Sequence, residues 1–144
     1  MDLEKLREQL IIDEGVKYET YLDHLSLKTV GIGHLCREDE PEYDLELGAK
    51  VSEERVTELF EQDIQTVIQD CKKIYDDWDK LPEEVKQIVA NMMFNLGRPR
   101  YSKFRKHIQA VMDGDWKESA YQMRDSRWHK QVPNRAERLC KRME

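Results

Sequence analysis

Apolar side chains recur every three or four positions along most of the chain, the spacing that places them on one face of an α-helix. The first run predicts a helix that ends at Gly15, a residue suited to the left-handed conformation beyond a helix end. Its apolar face consists of Leu3, Leu6, Leu10 and Ile11. The longest run follows Ser52, a good N-cap residue, and continues to Trp78. It predicts a helix of about 27 residues and about 40 Å, long enough to connect two lobes.

Four shorter helices are predicted in the second half of the chain. One begins after Pro82, a residue that suits the first helical position, and ends at Gly97. Its apolar face includes Met92 and Met93. The other three extend from Phe104 to Gly114, from Asp115 to Met123 and from Arg135 to Met143.

Residues 18–33 lack this periodicity. The segments YETYLD and TVGIG are rich in aromatic and β-branched residues, and they predict a small antiparallel hairpin or three-stranded sheet. The acidic segment 36–50 contains Pro41 and Gly48 and predicts a loop with at most one helical turn. Its charges favour a solvated surface over an ion site.

Length and charge narrow the possible functions. The 144 residues suit one domain, and a 39% hydrophobic content supports a core without help from metals or disulfides. The formal net charge of -6 argues against a dedicated nucleic-acid or membrane-surface binder. Residues 1–97 carry 11 basic and 24 acidic side chains, whereas residues 98–144 carry 13 basic and 6 acidic. The chain is therefore acidic at one end and basic at the other.

Neither disulfides nor membrane segments are predicted. Cys36, Cys71 and Cys140 are odd in number and form no C-x-x-C motif, so reduced thiols are the simplest interpretation. No apolar run approaches the ~20 residues that span a bilayer, and the charged N-terminal segment lacks the apolar core of a signal peptide. We therefore expect a protein made in the cytoplasm.

Two carboxylates stand at informative positions. Glu14 lies in the last turn of the first predicted helix, and Asp23 lies nine residues later in the hairpin region. Glycoside hydrolysis requires two such groups, one protonated to supply a proton and one ionised to activate water or stabilise positive charge. With 30 acidic residues in the chain, composition alone favours surface charge for any chosen pair.

The string around these carboxylates is more specific. The run IDEG, with eight residues between its Glu14 and Asp23, followed by KTVGIGH, resembles the signature of the phage-type lysozymes, glycoside hydrolase family 24. Further matching blocks follow in order: LFEQD at 59–63, NMMFNLG at 91–97, a Phe at 104, SRW at 126–128 and PNRAERL at 133–139. The resemblance therefore covers the chain from its first helix to its last.

The resemblance implies a role for each matching residue. Glu14 would protonate the glycosidic oxygen between N-acetylmuramic acid and N-acetylglucosamine. Asp23 would orient or deprotonate the attacking water, which the Thr29 hydroxyl would help to hold. The family inverts the anomeric centre, a reaction that needs carboxyl groups ~6.5 to 9.5 Å apart. Residues matched to the saccharide groove, or to an arginine near the acid, are Leu35, Phe94, Phe104 and Arg135.

Other motifs receive structural interpretations. Gly31 and Gly33 look like part of a phosphate loop, but the full pattern is missing, so tight strand packing is favoured. His34 could be a base or a metal ligand; the family instead pairs this histidine with the aspartate matching Asp63. His107 and Gln122 fall in register with saccharide-contacting positions that usually bear other small polar groups.

The resemblance implies an α+β, mostly helical, lysozyme-like fold in a single domain of residues 1–144. A small β-containing lobe would cover approximately residues 13–60, and a helical lobe residues 1–12 plus 61–144, with a long connecting helix and the active site in the cleft between the lobes. The expected function is muramidase hydrolysis of bacterial peptidoglycan by a monomer without metal or cofactor, with no nucleic-acid partner and no membrane insertion. Such an enzyme reaches the wall after holin-type release.

Two alternatives remain open at this point. One is a catalytically silent peptidoglycan-binding protein of the same fold. The other is a helical nucleic-acid binder that uses the basic segment 98–144, although the acidic charge of the remaining chain would repel phosphates.

Overall fold

The computed structural model describes all 144 residues. Its eight helices and one three-stranded antiparallel sheet confirm the predicted α+β, mostly helical class. In chain order the elements are α1 Leu3–Glu14, β1 Lys17–Leu22, β2 Lys28–Gly31, β3 His34–Leu35, α2 Glu53–Ile74, α3 Glu83–Leu96, α4 Arg98–Tyr101, α5 Arg105–Met112, α6 Trp116–Arg124, α7 Arg127–Gln131 and α8 Pro133–Met143. Two 3-10 turns lie at Pro41–Asp44 and Trp78–Lys80. None of the helices has the length and apolar character needed to cross a bilayer.

The chain divides into two compact units. The first comprises residues 7–66 and contains the sheet, and we call it the sheet unit. The second comprises residues 1–6 and 67–144 and consists of helices, and we call it the helical unit. Both boundaries fall inside helices, one within α1 and one within α2.

The sheet unit buries one face of its hairpin against α2. Val30, at the centre of β2, is fully buried, and Gly31 packs directly on Val56 of α2. A Cβ on Gly31 would lie 2.9 Å from a methyl group of Val56, so only glycine allows this approach. Tight packing is therefore the correct interpretation of that glycine.

The helical unit is organised around α3, whose Met92 and Met93 are buried as predicted. Gly97 ends α3 with a φ of 77°. The side chain of Asp115 accepts the backbone N–H of Glu118 and so caps α6. These local signals explain why the predicted end of α3 and the predicted start of α6 agree with the structure.

Three expectations about elements need correction. α2 is shorter than predicted: it ends at Ile74 after 22 residues, and Trp78 belongs to a separate buried turn. Asp76 and Asp77 follow the end of α2, where carboxylates oppose the negative end of the helix dipole. The short helices α4 and α7, of 4 and 5 residues, were not predicted, because they complete too few turns to show a period.

The acidic segment 36–50 forms the predicted loop with one short turn, but it is not entirely a solvated surface. Glu40 and Glu42 are only 7% and 5% exposed. Glu42 accepts two hydrogen bonds from Arg55 of α2, at 2.9 and 3.0 Å. Buried carboxylates require such partners, and nothing in the local sequence announces them.

Candidate active site

Glu14 is the last residue of α1, and its position is defined by a glycine. The backbone turns away at Gly15, whose φ is 73° and whose N–H donates to the carbonyl of Ile11. The half-buried Glu14 carboxyl packs against Gly33, where a Cβ would lie 2.5 Å from Oε1. Gly33 itself has a φ of 63°. The close approach of a glycine therefore makes the space for this carboxyl group.

Asp23 is held by the turn that joins β1 to β2. Its Oδ1 accepts the backbone N–H groups of Leu25 and Leu27, at 2.8 and 2.9 Å. Its own N–H donates to the carbonyl of Leu27, and its carbonyl accepts the N–H of Ser26. Both side-chain bonds end on one oxygen, so Oδ2 remains available to a water molecule. The turn thus orients the carboxylate independently of any substrate.

Thr29 and Leu35 lie on one face of the sheet together with Tyr21. The register pairs Tyr21 in β1 with Thr29 in β2, and Thr29 with Leu35 in β3. Directly paired residues of antiparallel strands point to the same side of the sheet. Thr29 is buried, and its Oγ1 donates to the carbonyl of Leu27 at 2.9 Å. Its hydroxyl oxygen can still accept a hydrogen bond.

The pKa of Tyr21 is affected by both candidate carboxylates. Burial raises the pKa of the Tyr21 phenol, and the negative charges of Glu14 and Asp23 raise it further. Both carboxylates therefore lie close enough to act on one side chain. Lys17 Nζ lies 4.3 Å from the centre of the Tyr21 ring, a cation–π contact within β1. The sequence did not single out Tyr21, which lies in β1 two residues before Asp23.

The other three predicted site residues belong to the helical unit. Phe94 lies in α3 and is half-buried. Phe104 precedes α5 and packs edge-to-face against His107 and Trp128, with ring centres 6.1 and 6.2 Å away. Arg135 lies in α8. Its Nε donates to Asn91 Oδ1 of α3 at 2.9 Å, so Asn91 is a positioning partner that the sequence did not reveal.

His34 forms the predicted pair with Asp63 and a second pair that was not predicted. Its Nδ1 lies 2.7 Å from Asp63 Oδ2, and its Nε2 lies 2.9 Å from Glu40 Oε1. Burial alone lowers the pKa of His34, but the hydrogen bonds and charges of the two carboxylates outweigh it and raise the pKa. Burial raises the pKa of Glu40, but the bonds to His34 and to the Arg37 N–H lower it overall. His34 is therefore structural.

His107 is not available for a saccharide, contrary to the register with the family. It is 1% exposed, and both ring nitrogens are bonded, Nε2 to the hydroxyl of Tyr101 and Nδ1 to that of Ser119, each at 2.9 Å. Tyr101 in turn bonds Tyr75 at 2.6 Å. Burial lowers the pKa of His107 to about 4. A buried chain of polar groups explains why this position carries a histidine.

One group of side chains could in principle hold a metal ion. Potential ligand atoms of His129, Glu137 and Cys140 lie within 4.8 Å of one another. Glu137, however, already accepts hydrogen bonds from both His129 and the guanidinium of Arg124. That guanidinium supplies the positive charge a metal would bring, so an ion-pair network accounts for the group. All three cysteines are free and buried.

Known proteins of similar sequence match almost the whole length of this chain. A family model described as phage lysozyme matches residues 12–144. Probable T4-type lysozyme 2 of Dictyostelium discoideum is 29% identical over 93% of this chain and 90% of its own length. The pre-baseplate central spike protein Gp5 of Enterobacteria phage T4 is 29% identical over 93% of this chain, but only 26% of its own length is covered. Peptidoglycan hydrolase gp36 of Pseudomonas phage phiKMV is 27% identical, with 15% of its length covered.

Proposed function

The chain belongs to the phage lysozyme family and is a glycoside hydrolase, and on that premise we propose that it cleaves the β-1,4 bond between N-acetylmuramic acid and N-acetylglucosamine in bacterial peptidoglycan. The observation that carries the proposal is the arrangement of Glu14 and Asp23. One carboxyl ends a helix against a glycine, the other is held by a turn, and both act on Tyr21. The peptidoglycan hydrolase among the relatives supports the choice of substrate.

In the proposed mechanism Glu14 is the general acid. It donates its proton to the glycosidic oxygen, which leaves with the electrons of the bond to the anomeric carbon. Water attacks that carbon from the opposite face and transfers a proton to Asp23, with Thr29 accepting a hydrogen bond from the water. A single displacement inverts the anomeric centre. Each carboxyl must regain its starting protonation state before the next turnover.

The remaining parts of the proposal concern substrate and cell biology. Leu35, Phe94, Phe104 and Arg135 are proposed to act in substrate binding, as the family resemblance implies. The protein is proposed to act as a monomer and to reach the wall after holin-type release. Neither a metal nor an organic cofactor takes part in the proposed steps.

The proposal is tested by clearing of a peptidoglycan suspension with the parent, Glu14→Gln and Asp23→Asn. Both substitutions preserve shape, and the amide introduced by Asp23→Asn retains the oxygen that the turn requires. We expect each to lower the rate by at least ~10²-fold, the scale of general acid–base catalysis. Glu8→Gln, an exposed position of α1, is the matched control and should clear the suspension like the parent.

Analysis of the sugar products by NMR completes the test. Inversion yields the α-anomer of the newly formed reducing end before mutarotation. A β-anomer would contradict the single displacement, and full activity of Glu14→Gln would exclude its role as the acid. An inactive parent that binds peptidoglycan would favour the catalytically silent alternative.

A further inference from the structure

The helical unit contains a basic cavity whose lining includes Phe104, proposed above to bind substrate, but none of Glu14, Asp23 and Thr29. Its volume is about 720 Å³, and α4, α5, α6 and α7 contribute to its wall. Five positively charged side chains line it: Arg100, Lys103, Arg105, Lys106 and Arg127. Asp125 is the one carboxylate among the lining residues. The cavity lining therefore carries a large excess of positive charge.

The five cations of the cavity form no salt bridge. Arg100 donates to the neutral amide of Gln131 at 3.2 Å, and the other four have no hydrogen-bonded partner in the protein. Several arginines outside the cavity are paired with carboxylates, as Arg55 is with Glu42 and Arg124 with Glu137. Concentrating unpaired like charges around a concavity raises the local potential and attracts anions. The five cations are therefore available to an anionic ligand.

The positive end of α5 adds to this potential. The helix begins at Arg105, and Phe104 at its N-cap supplies no side-chain acceptor for the first N–H groups. These N–H groups carry the partial positive charge of the helix dipole. They lie at the same end of α5 as Arg105 and Lys106, two of the cations that line the cavity. The helix end and the side chains thus reinforce each other.

The packing of the aromatic rings that line the cavity indicates which class of polyanion the cavity suits. Trp128 is 3% exposed, and its indole N–H donates to Asn95 Oδ1 at 2.7 Å. Phe104 is half-buried and packs against Tyr101, His107 and Trp128. Single-stranded nucleic acids bind through open aromatic faces on which bases stack. These rings are occupied within the unit, so the cavity offers charge without a stacking platform.

We propose that this cavity binds a phosphodiester-linked polymer of the bacterial wall, through its phosphates. One carboxylate of a peptide would engage one or two of the five cations, whereas a polymer with a charge on each repeat engages several at once. Arginine forks suit phosphate oxygens, and the neutral side chains of Ser126, Gln122 and Gln131 suit the hydroxyl groups between phosphates. The proposal rests on the proposed function only in assigning the wall as the place of action.

The test is calorimetric titration of the full chain with glycan-free polyglycerol phosphate, which requires no catalysis. The cavity variant is Lys103→Gln, Arg105→Gln, Lys106→Gln. The matched control is Lys72→Gln, Lys73→Gln, Lys80→Gln, which removes the same charge from exposed positions of the helical unit outside the cavity. We expect the cavity variant to bind at least tenfold more weakly at 50 mM salt and the control to bind within twofold of the parent.

A second substitution tests the same site in the opposite direction. Asp125→Asn removes the one negative charge of the cavity lining and should tighten binding of polyglycerol phosphate. The logarithm of the binding constant should fall with the logarithm of salt concentration by roughly 0.7 per phosphate engaged, and the cavity variant should lower that slope by about 2. Circular dichroism verifies that each variant is folded.

Four results would overturn the proposal: no binding by the parent, equal loss in the cavity variant and its control, equal binding of polyglutamate of the same charge, or tighter binding of single-stranded DNA. Because hydrolysis is not measured, an inactive enzyme that still binds polyglycerol phosphate would refute the proposed function alone.

Discussion

At the scale of single residues, Glu14 and Asp23 are positioned by backbone conformation. Glu14 occupies space that exists because Gly33 has no side chain. Asp23 is held by two N–H groups of its own turn. The same carboxylic acid chemistry is therefore placed in two different environments, which is the condition for giving an acid and a base different roles.

Gly33→Ala should displace Glu14, the proposed general acid. The new methyl group would meet Glu14 Oε1, and the left-handed backbone at this position adds roughly 1 kcal/mol of strain. Since the carboxyl is the mobile end of a side chain, it moves, and we expect at least a tenfold loss of clearing rate. Gly48→Ala is the control: its φ is 85°, but the nearest atom lies 3.8 Å away. Similar activity losses in both variants would contradict this explanation.

The pair of His34 and Asp63 should give stability that depends on pH. Because the folded pKa of His34 is raised, its stabilisation is complete below the unfolded value of ~6.5 and is lost as pH rises through the folded pKa. Glu40, with a lowered pKa, contributes above ~4.3 and loses its contribution at lower pH. The cluster is therefore strongest between these limits.

Asp63→Asn should lower the free energy of unfolding by about 2 kcal/mol at pH 5.5 and by less at pH 8.5. Urea denaturation at the two pH values measures the difference. Glu38→Gln changes an exposed acid of the neighbouring loop and should show no such dependence. Equal losses at the two pH values would refute the ionic character of the pair.

At the scale of elements, a buried polar chain links four helical segments of the helical unit. Tyr75 follows α2, Tyr101 ends α4, His107 lies in α5 and Ser119 lies in α6, and their side chains are bonded in series. Every polar side-chain group in this series has a partner, which removes the penalty of burial. The arrangement requires a neutral histidine, because His107 is enclosed and its pKa is lowered.

The helical unit should therefore lose stability in mild acid. An unfolded histidine binds a proton near pH ~6.5, whereas folded His107 stays neutral until about pH 4, so the unfolded state gains protons first. Between pH 6 and 4.5 the parent should lose about 1.4 kcal/mol per pH unit more than His107→Gln. Denaturation at several pH values measures this slope. His24→Gln, at an exposed position, should retain the parent's slope; a parent-like slope in His107→Gln would disprove the assignment.

At the scale of the whole molecule, the uneven charge matters more than its sum. Residues 98–144, which carry 13 basic and 6 acidic side chains, all lie in the helical unit and include the basic cavity. A net charge of -6 therefore coexists with a surface that attracts anions. Bacterial walls are anionic, so for the proposed substrate we expect electrostatic attraction before any sugar is bound.

Clearing of whole peptidoglycan should consequently slow as salt rises, because the screening length falls to ~10 Å at 0.1 M. We expect a several-fold decrease between 50 and 300 mM sodium chloride. Peptidoglycan whose carboxyl groups have been amidated is the control substrate, and its hydrolysis should vary little. The same salt dependence on both substrates would show that attraction between protein and wall is not responsible.

Features that neighbouring residues encode can be predicted from the amino-acid order alone. Helical periodicity, caps at Ser52 and Asp115 and glycine stops located most of the helices, and the strands followed from β-branched runs. The amino-acid order also placed Glu14 at a helix end and Asp23 in a turn, because both positions depend on residues a few places away.

Which distant groups meet depends instead on how the folded chain packs. The burial of Glu42 depends on Arg55, 13 residues away, and the position of Arg135 depends on Asn91, 44 residues away. The enclosure of His107 and the grouping of unpaired cations around one cavity likewise require several helices to pack. Periodicity records which face of an element is apolar, but partner choice is set by packing and by the need to satisfy buried polar groups.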